Sequence, residues 1–276
     1  GKNEDEIETM MAAGGGWRPA RRMRDAGSAG SEKHRGAGTS ESTGTVMVVA
    51  VEYISKEESA GVEAAKHGVT GILAVQGAFA EHAAMLDRLG APWKLLRAAE
   101  DFDDSIDRVI LPGGESTTQG KLLRSTGLFE PIAAHIAAGK PVFGTCAGMI
   151  LLARKLDNDS NIYFGALDAV VRRNAYGRQL GSFAATADFG SSSGDSAVVV
   201  APGEHVPQDA PADIVLKDFP LVFIRGPFVA EVGPAATVET SVDGNVVGLR
   251  QGKILATAFH PELTDDTRIH ELFLSL

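Results

Sequence analysis

Apolar runs alternate with stretches of helical period from residue 71 onward, and this alternation predicts the fold. The run Ile72–Val75 is apolar throughout, as expected for a strand that is buried on both faces. Apolar residues then recur at helical spacing from Phe79 to Leu89, and Gly90 is a typical helix stop. The alternation continues with predicted strands at 93–96, 108–111 and 141–143 and predicted helices at 130–138 and 147–156. Strands that alternate with helices indicate a mostly parallel central sheet flanked by helices.

The C-terminal half has a different texture, in which short predicted strands are separated by turn residues. Strands are predicted at 163–171, 221–224, 236–242, 246–250 and 254–259, and a last amphipathic helix at 265–274. Residues 190–213 are polar and contain Gly, Ser and Pro, which predicts a surface insertion. The predicted fold class is therefore α/β, with a mostly parallel central sheet and additional short antiparallel strands in the C-terminal half.

Residues 1–69 differ in composition from the rest of the chain. The segment 26–44, for example, is rich in Gly, Ser and charged residues and has no sustained apolar period. Such a segment cannot bury enough apolar surface to offset the entropy that is lost on ordering. We therefore predict a disordered N-terminal extension over 1–69 and a folded domain over 70–276.

Composition narrows the classes of function. The 44% hydrophobic and 22% charged residues are ordinary for a soluble globular protein. A net charge of −10 argues against nucleic acid and against an anionic membrane surface as partners. No apolar run approaches the roughly 20 residues that span a bilayer, and the start of the chain lacks the order of a secretory signal. A single cysteine excludes an intramolecular disulfide and fits a reducing cytoplasm, where we expect the protein to act.

That cysteine, Cys146, is the first candidate for chemistry. It lies in Gly144-Thr145-Cys146-Ala147-Gly148, between a predicted strand and a predicted helix. An α/β enzyme holds a nucleophile on such a sharp strand-to-helix turn, where small flanking residues let the backbone come close to itself. The alternative is an inert buried thiol. A thiol is mostly protonated at neutral pH, so a nucleophilic role also requires a base or a positive field, which the following helix supplies in part.

His260 is the best candidate for the base. It follows the apolar strand at 254–259 and precedes Pro261 and Glu262. Proline favours extended geometry in the residue before it, and in an extended segment residues two apart project to the same side. Glu262 could then orient the imidazole, as the acid does in a catalytic triad. The alternative is a chance pairing on a loop. The other histidines lie in the N-terminal extension, in predicted helices or in the polar segment: His34, His67, His82, His135, His205 and His270.

A third candidate is the loop Pro112–Thr118 at the end of a predicted strand. It could be a plain strand-to-helix turn or a phosphate cradle, although the chain has no P-loop motif and Glu115 would repel a phosphate. It could also be an oxyanion hole, in which the N–H groups of Gly114 and Ala147 hold a developing negative oxygen. Ligand sites in open α/β sheets lie at the carboxyl ends of strands, where this loop and Cys146 both occur. The three candidates together suit acyl transfer from an amide.

Several stretches of this chain resemble one enzyme family in the expected order. Between about Val69 and Leu276 they are GILAVQGAFAEH, LPGGESTT, FGTCAGMILLA, RRNAYGRQLGSF, FIRGP and AFHPEL. They resemble the PdxT/SNO family of class I glutamine amidotransferases, the glutaminase subunits of pyridoxal 5′-phosphate synthase. Residues 190–213 exceed what this family requires, and the N-terminal extension has no counterpart in it. The opening GKNEDEIETMMAAGGGW instead resembles the tail of the synthase subunit, which suggests a fused or read-through remnant.

The resemblance implies a flavodoxin-like fold and a role for each motif residue. Cys146 would be the nucleophile, His260 the base and Glu262 its partner. The glutamine site would be formed by Gly114, Glu115, Ser116, Arg173, Ile224 and Arg225. An arginine fork suits the α-carboxylate of glutamine, although surface solvation would otherwise be the ordinary interpretation of Arg173 and Arg225. No cofactor and no metal are implied.

The resemblance also implies a reaction and a partner. L-glutamine would be hydrolysed to glutamate through a glutamyl thioester, and the ammonia would pass to a synthase subunit of the PdxS/SNZ type in a large hetero-oligomer. Two alternatives stay open: a glutaminase subunit that serves a different class I amidotransferase, and a noncatalytic regulatory or scaffold subunit. A scaffold would have no need of Cys146, His260 and Glu262.

Overall fold

The computed structural model describes residues 68–157, 159–173, 182–190, 197–211 and 213–276. The predicted disordered extension lies outside these residues except for positions 68 and 69, as does the opening that resembles a synthase tail. The strands are β1 Val69–Leu73, β2 Trp93–Leu96, β3 Ile106–Leu111, β4 Val142–Thr145, β5 Ala153–Leu156, β6 Leu167–Arg172, β7 Ser182–Phe189, β8 Val198–Val200, β9 Ile214–Ile224, β10 Phe228–Val232, β11 Thr237–Val242, β12 Asn245–Gln251 and β13 Ile254–Thr257. The helices are α1 Phe79–Arg88, α2 Ser116–Ser125, α3 Phe129–Ala137, α4 Ala147–Leu152 and α5 Arg268–Leu274, with 3₁₀ turns at Ala99–Asp101 and Pro261–Leu263.

A central sheet organises the molecule. Within the described residues its strand order is β11-β12-β13-β4-β3-β1-β2. Neighbouring strands from β13 to β2 are parallel, whereas β12 is antiparallel to both β13 and β11. Two smaller sheets have the orders β10-β6-β5 and β7-β9-β8. The predicted mostly parallel sheet with added antiparallel strands is confirmed. Because the carboxyl ends of β3, β4 and β13 meet at one edge, the segments that follow these strands converge there.

The central strands are continuous apolar runs because both of their faces are buried in the core. Ile72 on β1, Val109 on β3 and Phe143 on β4 are all fully buried, because helices cover the sheet. The helix α1 buries Met85 and Leu86 on one face and leaves its charged residues outside. Among the residues that the structure describes, no helix is long and apolar enough to cross a bilayer.

The predicted helix at 147–156 is wrong in its second part. The helix α4 ends at Leu152, and Ala153–Leu156 forms β5, which pairs in parallel with β6. Ala153 and Leu156 are buried while the two basic residues between them are exposed. Pairing with β6 outweighs the helix propensity of this short stretch, as tertiary context commonly does.

Other differences also come from long-range pairing. The strand β9 begins at Ile214, whereas the prediction began at 221, and it pairs with β7 and β8, which were not predicted. The helix α2 was not predicted either. The described part of the predicted surface insertion includes β8, and its residues Val200 and Val206 are buried in the core. The buried guanidinium of Arg268 donates to the Val200 carbonyl at 2.8 Å, which ties this segment to α5.

Candidate active site

Cys146 lies on a tight turn between β4 and α4. Its φ of 47° is in the left-handed region, which a residue with a side chain rarely adopts. The neighbouring strand β13 holds this turn in place, because the Cys146 N–H donates to the Thr257 carbonyl at 2.7 Å. The two flanking glycines are required sterically: a Cβ on Gly148 would overlap the Leu111 carbonyl oxygen, and one on Gly144 would lie 2.7 Å from the Gly148 carbonyl carbon. The corner therefore has the strained strand-to-helix geometry that presents a nucleophile.

The surroundings of the thiol contain the end of β9. Cys146 is 6% exposed, and its Sγ lies 3.9 Å from the carbonyl oxygen of Ile224. The next residue, Arg225, has a φ of 45° and an exposed side chain. The structure thus brings Ile224, a predicted glutamine-binding residue, directly to the sulfur. It places the strained Arg225 at the adjacent surface.

His260 and Glu262 form a buried pair. His260 Nδ1 lies 2.8 Å from Glu262 Oε1, and both side chains are almost completely buried. The backbone N–H of His260 donates to the Val222 carbonyl at 2.8 Å, which fixes the histidine against β9. The expected extended geometry is absent here, because Pro261–Leu263 forms a 3₁₀ turn. The turn still brings the two side chains together, so the pairing occurs through a different backbone path.

Electrostatics favour a charged pair at this position. Burial alone would lower the pKa of His260, but the Glu262 carboxylate and then the neighbouring Cys146 side chain raise it to about 10. Burial would likewise raise the pKa of Glu262, but His82 and His260 lower it to about 2. An imidazolium between a carboxylate and a sulfur is therefore stabilised, which is the state that a cysteine nucleophile requires.

Two further buried histidines lie beside this pair. His82 on α1 has its Nε2 3.6 Å from Glu262 Oε2, and its Nδ1 lies 2.9 Å from Nε2 of His270 on α5. In a predicted helix, a packed or solvated histidine is the ordinary interpretation of both, and the structure shows that they are packed. The sequence does contain one signal for burial, because His82 lies four residues before Leu86 on the apolar face of its helix. Nothing local indicates its partner.

The loop after β3 packs against His260. A Cβ on Gly113 would overlap the His260 ring, and the Gly113 N–H donates to Thr145 Oγ1 at 3.0 Å. Glu115 in the same loop is held by Gln76, whose Oε1 accepts from the Glu115 N–H at 2.9 Å. A side chain on Gly114 would approach Gln76 Oε1 and Gln119 Nε2. The loop predicted as an oxyanion hole therefore borders the site.

Arg173 lies in a cluster of polar groups at the start of α2. Its guanidinium contacts Asp159 Oδ2 at 2.7 Å, Glu115 Oε1 at 3.1 Å and Thr117 Oγ1 at 2.8 Å. Glu115 also caps α2, and although burial would raise the pKa of its carboxyl, hydrogen bonds from Thr118 and Thr117 lower it to about 2. The structure thus joins Glu115 and Arg173, two of the predicted glutamine-binding residues. Ser116 is buried in the first turn of the same helix.

This site contains the chemical groups that cysteine hydrolases use, namely a thiol, an imidazole and a carboxylate. Within the described ranges, no group of three or more His, Cys, Asp and Glu side chains could hold a metal ion. The arrangement offers a thiol on a strained corner, a buried imidazole paired with a carboxylate, and a charged surface cluster nearby. These parts suit attack on an amide carbonyl.

Comparison with known proteins identifies the family of this chain. The model of the SNO glutamine amidotransferase family matches residues 72–276. The pyridoxal 5′-phosphate synthase subunit PdxT of Bifidobacterium adolescentis is 98% identical over 208 residues, which are 75% of this chain and 100% of that protein. PdxT of Bifidobacterium longum is 80% identical over the same shares, and PdxT of Desulfitobacterium hafniense is 45% identical over 74% of this chain and 90% of its own length.

Solved structures agree at the level of the fold. A crystal structure described as a glutamine amidotransferase has a TM-score of 0.63 and 38% sequence identity, and the match covers 75% of this chain and 99% of that one. PurLQS from Thermotoga maritima has a TM-score of 0.51 at 15% identity over 75% of this chain and 98% of the other, which shows the fold alone.

Proposed function

Because this chain belongs to the SNO glutamine amidotransferase family, we propose that it is the glutaminase subunit of a pyridoxal 5′-phosphate synthase. It hydrolyses L-glutamine to L-glutamate and ammonia. The observation that carries this proposal is the buried contact of 2.8 Å between His260 and Glu262 beside the strained corner of Cys146. The 98% identity to a PdxT supports the particular synthase over another class I amidotransferase.

In the first half-reaction, the Cys146 sulfur attacks the side-chain amide carbon of glutamine. His260 accepts the thiol proton and then donates it to the departing nitrogen, so that ammonia leaves and a glutamyl thioester forms. Glu262 holds the imidazole in its orientation and stabilises its positive charge. The N–H groups of Gly114 and Ala147 stabilise the negative oxygen of the tetrahedral intermediate.

In the second half-reaction, water attacks the thioester carbon. His260 removes a proton from this water and holds it as the C–S bond breaks, so glutamate leaves and the resting Cys146–His260 pair is restored. Atoms balance over the two steps: one glutamine and one water become one glutamate and one ammonia.

Recognition of glutamine involves charged groups at the protein surface. Arg173 pairs with the α-carboxylate, and the fork of its guanidinium fits two carboxylate oxygens. In the structure this guanidinium contacts Glu115 and Asp159, so substrate binding exchanges one carboxylate for another. Gly114, Ser116, Ile224 and Arg225 complete the glutamine site around the sulfur.

The ammonia passes to a synthase subunit of the PdxS/SNZ type in a hetero-oligomer, where the two activities together make pyridoxal 5′-phosphate. This assignment rests on the names of the relatives, which describe subunits of that synthase. The assembly operates in the cytoplasm, in line with a chain that has one cysteine.

The test is glutamate production from glutamine by the purified chain with and without a purified synthase subunit. Cys146→Ala should abolish hydrolysis and leave binding of the synthase subunit intact, because the change removes only the sulfur of one buried residue. Retained hydrolysis in this variant would refute Cys146 as the nucleophile. No hydrolysis by the unaltered chain in either condition would instead favour the scaffold alternative, and stimulation only by a different synthase would refute the assigned partner.

A further inference from the structure

A line of buried polar groups leads from the back of Glu262 into the protein. Thr145 Oγ1 lies 3.4 Å from Glu262 Oε1 and 3.2 Å from His82 Nε2. His82 Nδ1 lies 2.9 Å from His270 Nε2, which continues the line to α5. His82, Thr145 and His270 are all 0% exposed. Polar side chains buried this completely are expected to be hydrogen-bonded in a definite pattern.

Burial disfavours a positive charge on both imidazoles in this line. Burial lowers the pKa of His82, against the opposing charge of Glu262, and burial together with His82 lowers the pKa of His270 to about 3. The ring of Phe143 packs with its edge or face towards both, with centroid distances of 5.9 Å and 5.7 Å. A neutral imidazole carries one N–H and one acceptor nitrogen, so each ring must choose a tautomer.

The hydrogen-bond partners determine which nitrogen of each ring carries the proton and therefore which group donates in each hydrogen bond. If His270 Nε2–H donates to His82 Nδ1, then His82 Nε2–H donates to Thr145 Oγ1 and the Thr145 hydroxyl donates to Glu262. Thr145 Oγ1 already accepts from the Gly113 N–H, and a hydroxyl can accept two hydrogen bonds and donate one. In this direction every proton points towards the carboxylate.

The opposite direction leaves two groups unsatisfied. The hydroxyl of Thr145 would donate to His82, and His82 would donate to His270, whose proton would then sit on Nδ1. That nitrogen is buried without a hydrogen-bond partner among the described residues. A buried N–H without an acceptor is rarer and more costly than a buried lone pair without a donor. Glu262 would also lose the hydroxyl donor, although its charge needs donors most.

We propose that His270, His82 and Thr145 form a hydrogen-bond relay that positions the Glu262 carboxylate behind His260. The relay supplies Oε1 with a second donor besides His260, and it places His82 Nε2–H opposite Oε2, which has no hydrogen bond among the described residues. Oε1 of Glu262 is then held by two donors, and the imidazole of His260 keeps its orientation towards Cys146. The three residues are positioning residues and do not touch the substrate. The inference rests on the proposed function in taking Glu262 as the orienting carboxylate.

The first test reads the tautomers directly and needs no substrate. Long-range ¹H–¹⁵N spectra of the full chain labelled with ¹⁵N-histidine distinguish Nδ1–H, Nε2–H and imidazolium forms, and His82→Gln and His270→Gln assign the two signals by their loss. We expect both rings as neutral Nε2–H tautomers at about pH 7. An Nδ1–H tautomer at His82, or an imidazolium at either position, would overturn the relay.

The second test measures hydrolysis in the complex with the synthase subunit. His270→Leu removes the first donor, whereas His270→Gln keeps an N–H near the position of Nε2. We expect kcat to fall about 10-fold in His270→Leu with little change of KM, and His270→Gln to recover most of the loss. In His270→Leu the Nδ1 atom of His82 loses its donor while Nε2–H keeps Thr145 as its acceptor, so the ¹⁵N signal of Nδ1 should shift towards that of a nitrogen without a hydrogen bond, which a purely structural effect would not cause.

A matched control separates the relay from the general cost of altering a buried histidine. His135 on α3 is also buried, and its Nε2 contacts the Pro141 carbonyl at 3.2 Å. His135→Leu should lower stability without changing kcat. Equal losses of kcat in His270→Gln and His270→Leu would show that only packing matters and would refute the proposal. The absence of hydrolysis in the unaltered complex would contradict the proposed function and leave the tautomer result to judge the relay alone.

Discussion

Two charged clusters in this protein use similar contacts in different surroundings. The inner cluster pairs His260 with Glu262 at 2.8 Å, with side chains that are 1% and 0% exposed. The outer cluster pairs Arg173 with Glu115 at 3.1 Å and with Asp159 at 2.7 Å, and the side chains of Arg173 and Glu115 are 20% and 51% exposed. The distances are alike, so burial is what distinguishes them.

The difference in burial assigns different tasks to the clusters. Breaking a buried pair leaves an uncompensated charge in a medium of low dielectric constant, so the inner cluster holds its groups in one arrangement. A pair that is partly exposed is screened by water and has a small net free energy, so its partners can be exchanged. We infer that the inner cluster serves the chemical step, whereas the outer cluster can release Arg173 to a substrate carboxylate.

The largest loss of activity is expected when the carboxylate of the inner cluster is neutralised. Glu262→Gln keeps the shape of the side chain but cannot stabilise an imidazolium, so kcat should fall about 1,000-fold while KM changes little. The measurement is steady-state glutamate production in the complex with the synthase subunit. His135→Gln is the matched control and should retain full activity. A loss of less than about 10-fold would remove Glu262 from the catalytic group.

A substitution in the outer cluster should instead raise KM and change kcat less. Arg173→Ala removes the fork that pairs with the α-carboxylate, so KM for glutamine should rise about 10- to 100-fold while kcat changes less. Arg172→Ala is the matched control, because Arg172 is the next residue and its exposed side chain pairs with Asp157. Equal effects of the two substitutions, or an unchanged KM in Arg173→Ala, would exclude Arg173 from the glutamine site.

The smallest expected effect is on stability: the contribution of the inner cluster to the free energy of unfolding should depend on pH. The pKa of Glu262 is lowered from 4.5 to about 2, so its contribution is fully present above pH 4.5 and is lost as the pH falls towards 2. The pKa of His260 is raised from 6.5 to about 10, so its contribution is fully present below pH 6.5 and is lost as the pH rises towards 10. The pair therefore stabilises the fold most between pH 4.5 and 6.5.

Urea unfolding of the unaltered chain and of Glu262→Gln measures this contribution. The difference in free energy of unfolding between the two chains should be larger at about pH 5.5 than at about pH 9. Groups that do not interact with the pair titrate alike in both chains and cancel in the difference. A difference that stays constant with pH would show that the pair is not charged in the folded protein.

Much of the fold could be predicted because its signals are local. The strand at 93–96 was predicted with the bounds that the structure has, and the last helix differs only at its start. The errors occur where pairing with distant segments decides the structure. Ala153–Leu156 has a helical composition, but β6 offers it a strand partner. The strands β7 and β8 depend in the same way on β9, from which β8 is separated by a loop and β7 by a longer segment.

The candidate site divides in the same way. Cys146 with its glycines and His260 with Glu262 were predicted because each motif is a run of neighbouring residues whose chemistry depends on short spacing. The extended path expected at Pro261 was wrong, because backbone geometry at a strand end is set by the elements packed around it. His82 and His270 could not be placed, since they contact each other across 188 positions of the chain.

The amino-acid sequence alone was enough to predict the strand-to-helix corner of Cys146, the His-Pro-Glu motif proposed to supply its base, and the alternation of strands and helices that carries both. These features follow from residue types and spacings of a few positions, which act through local backbone sterics and hydrophobic burial. Only the tertiary structure decided that α1 and α5 deliver two histidines to the rear of Glu262, and that Arg173 meets Glu115 and Asp159. Such contacts join residues that are far apart in the sequence. They depend on how separate elements pack on the sheet, so no local spacing of residues predicts them.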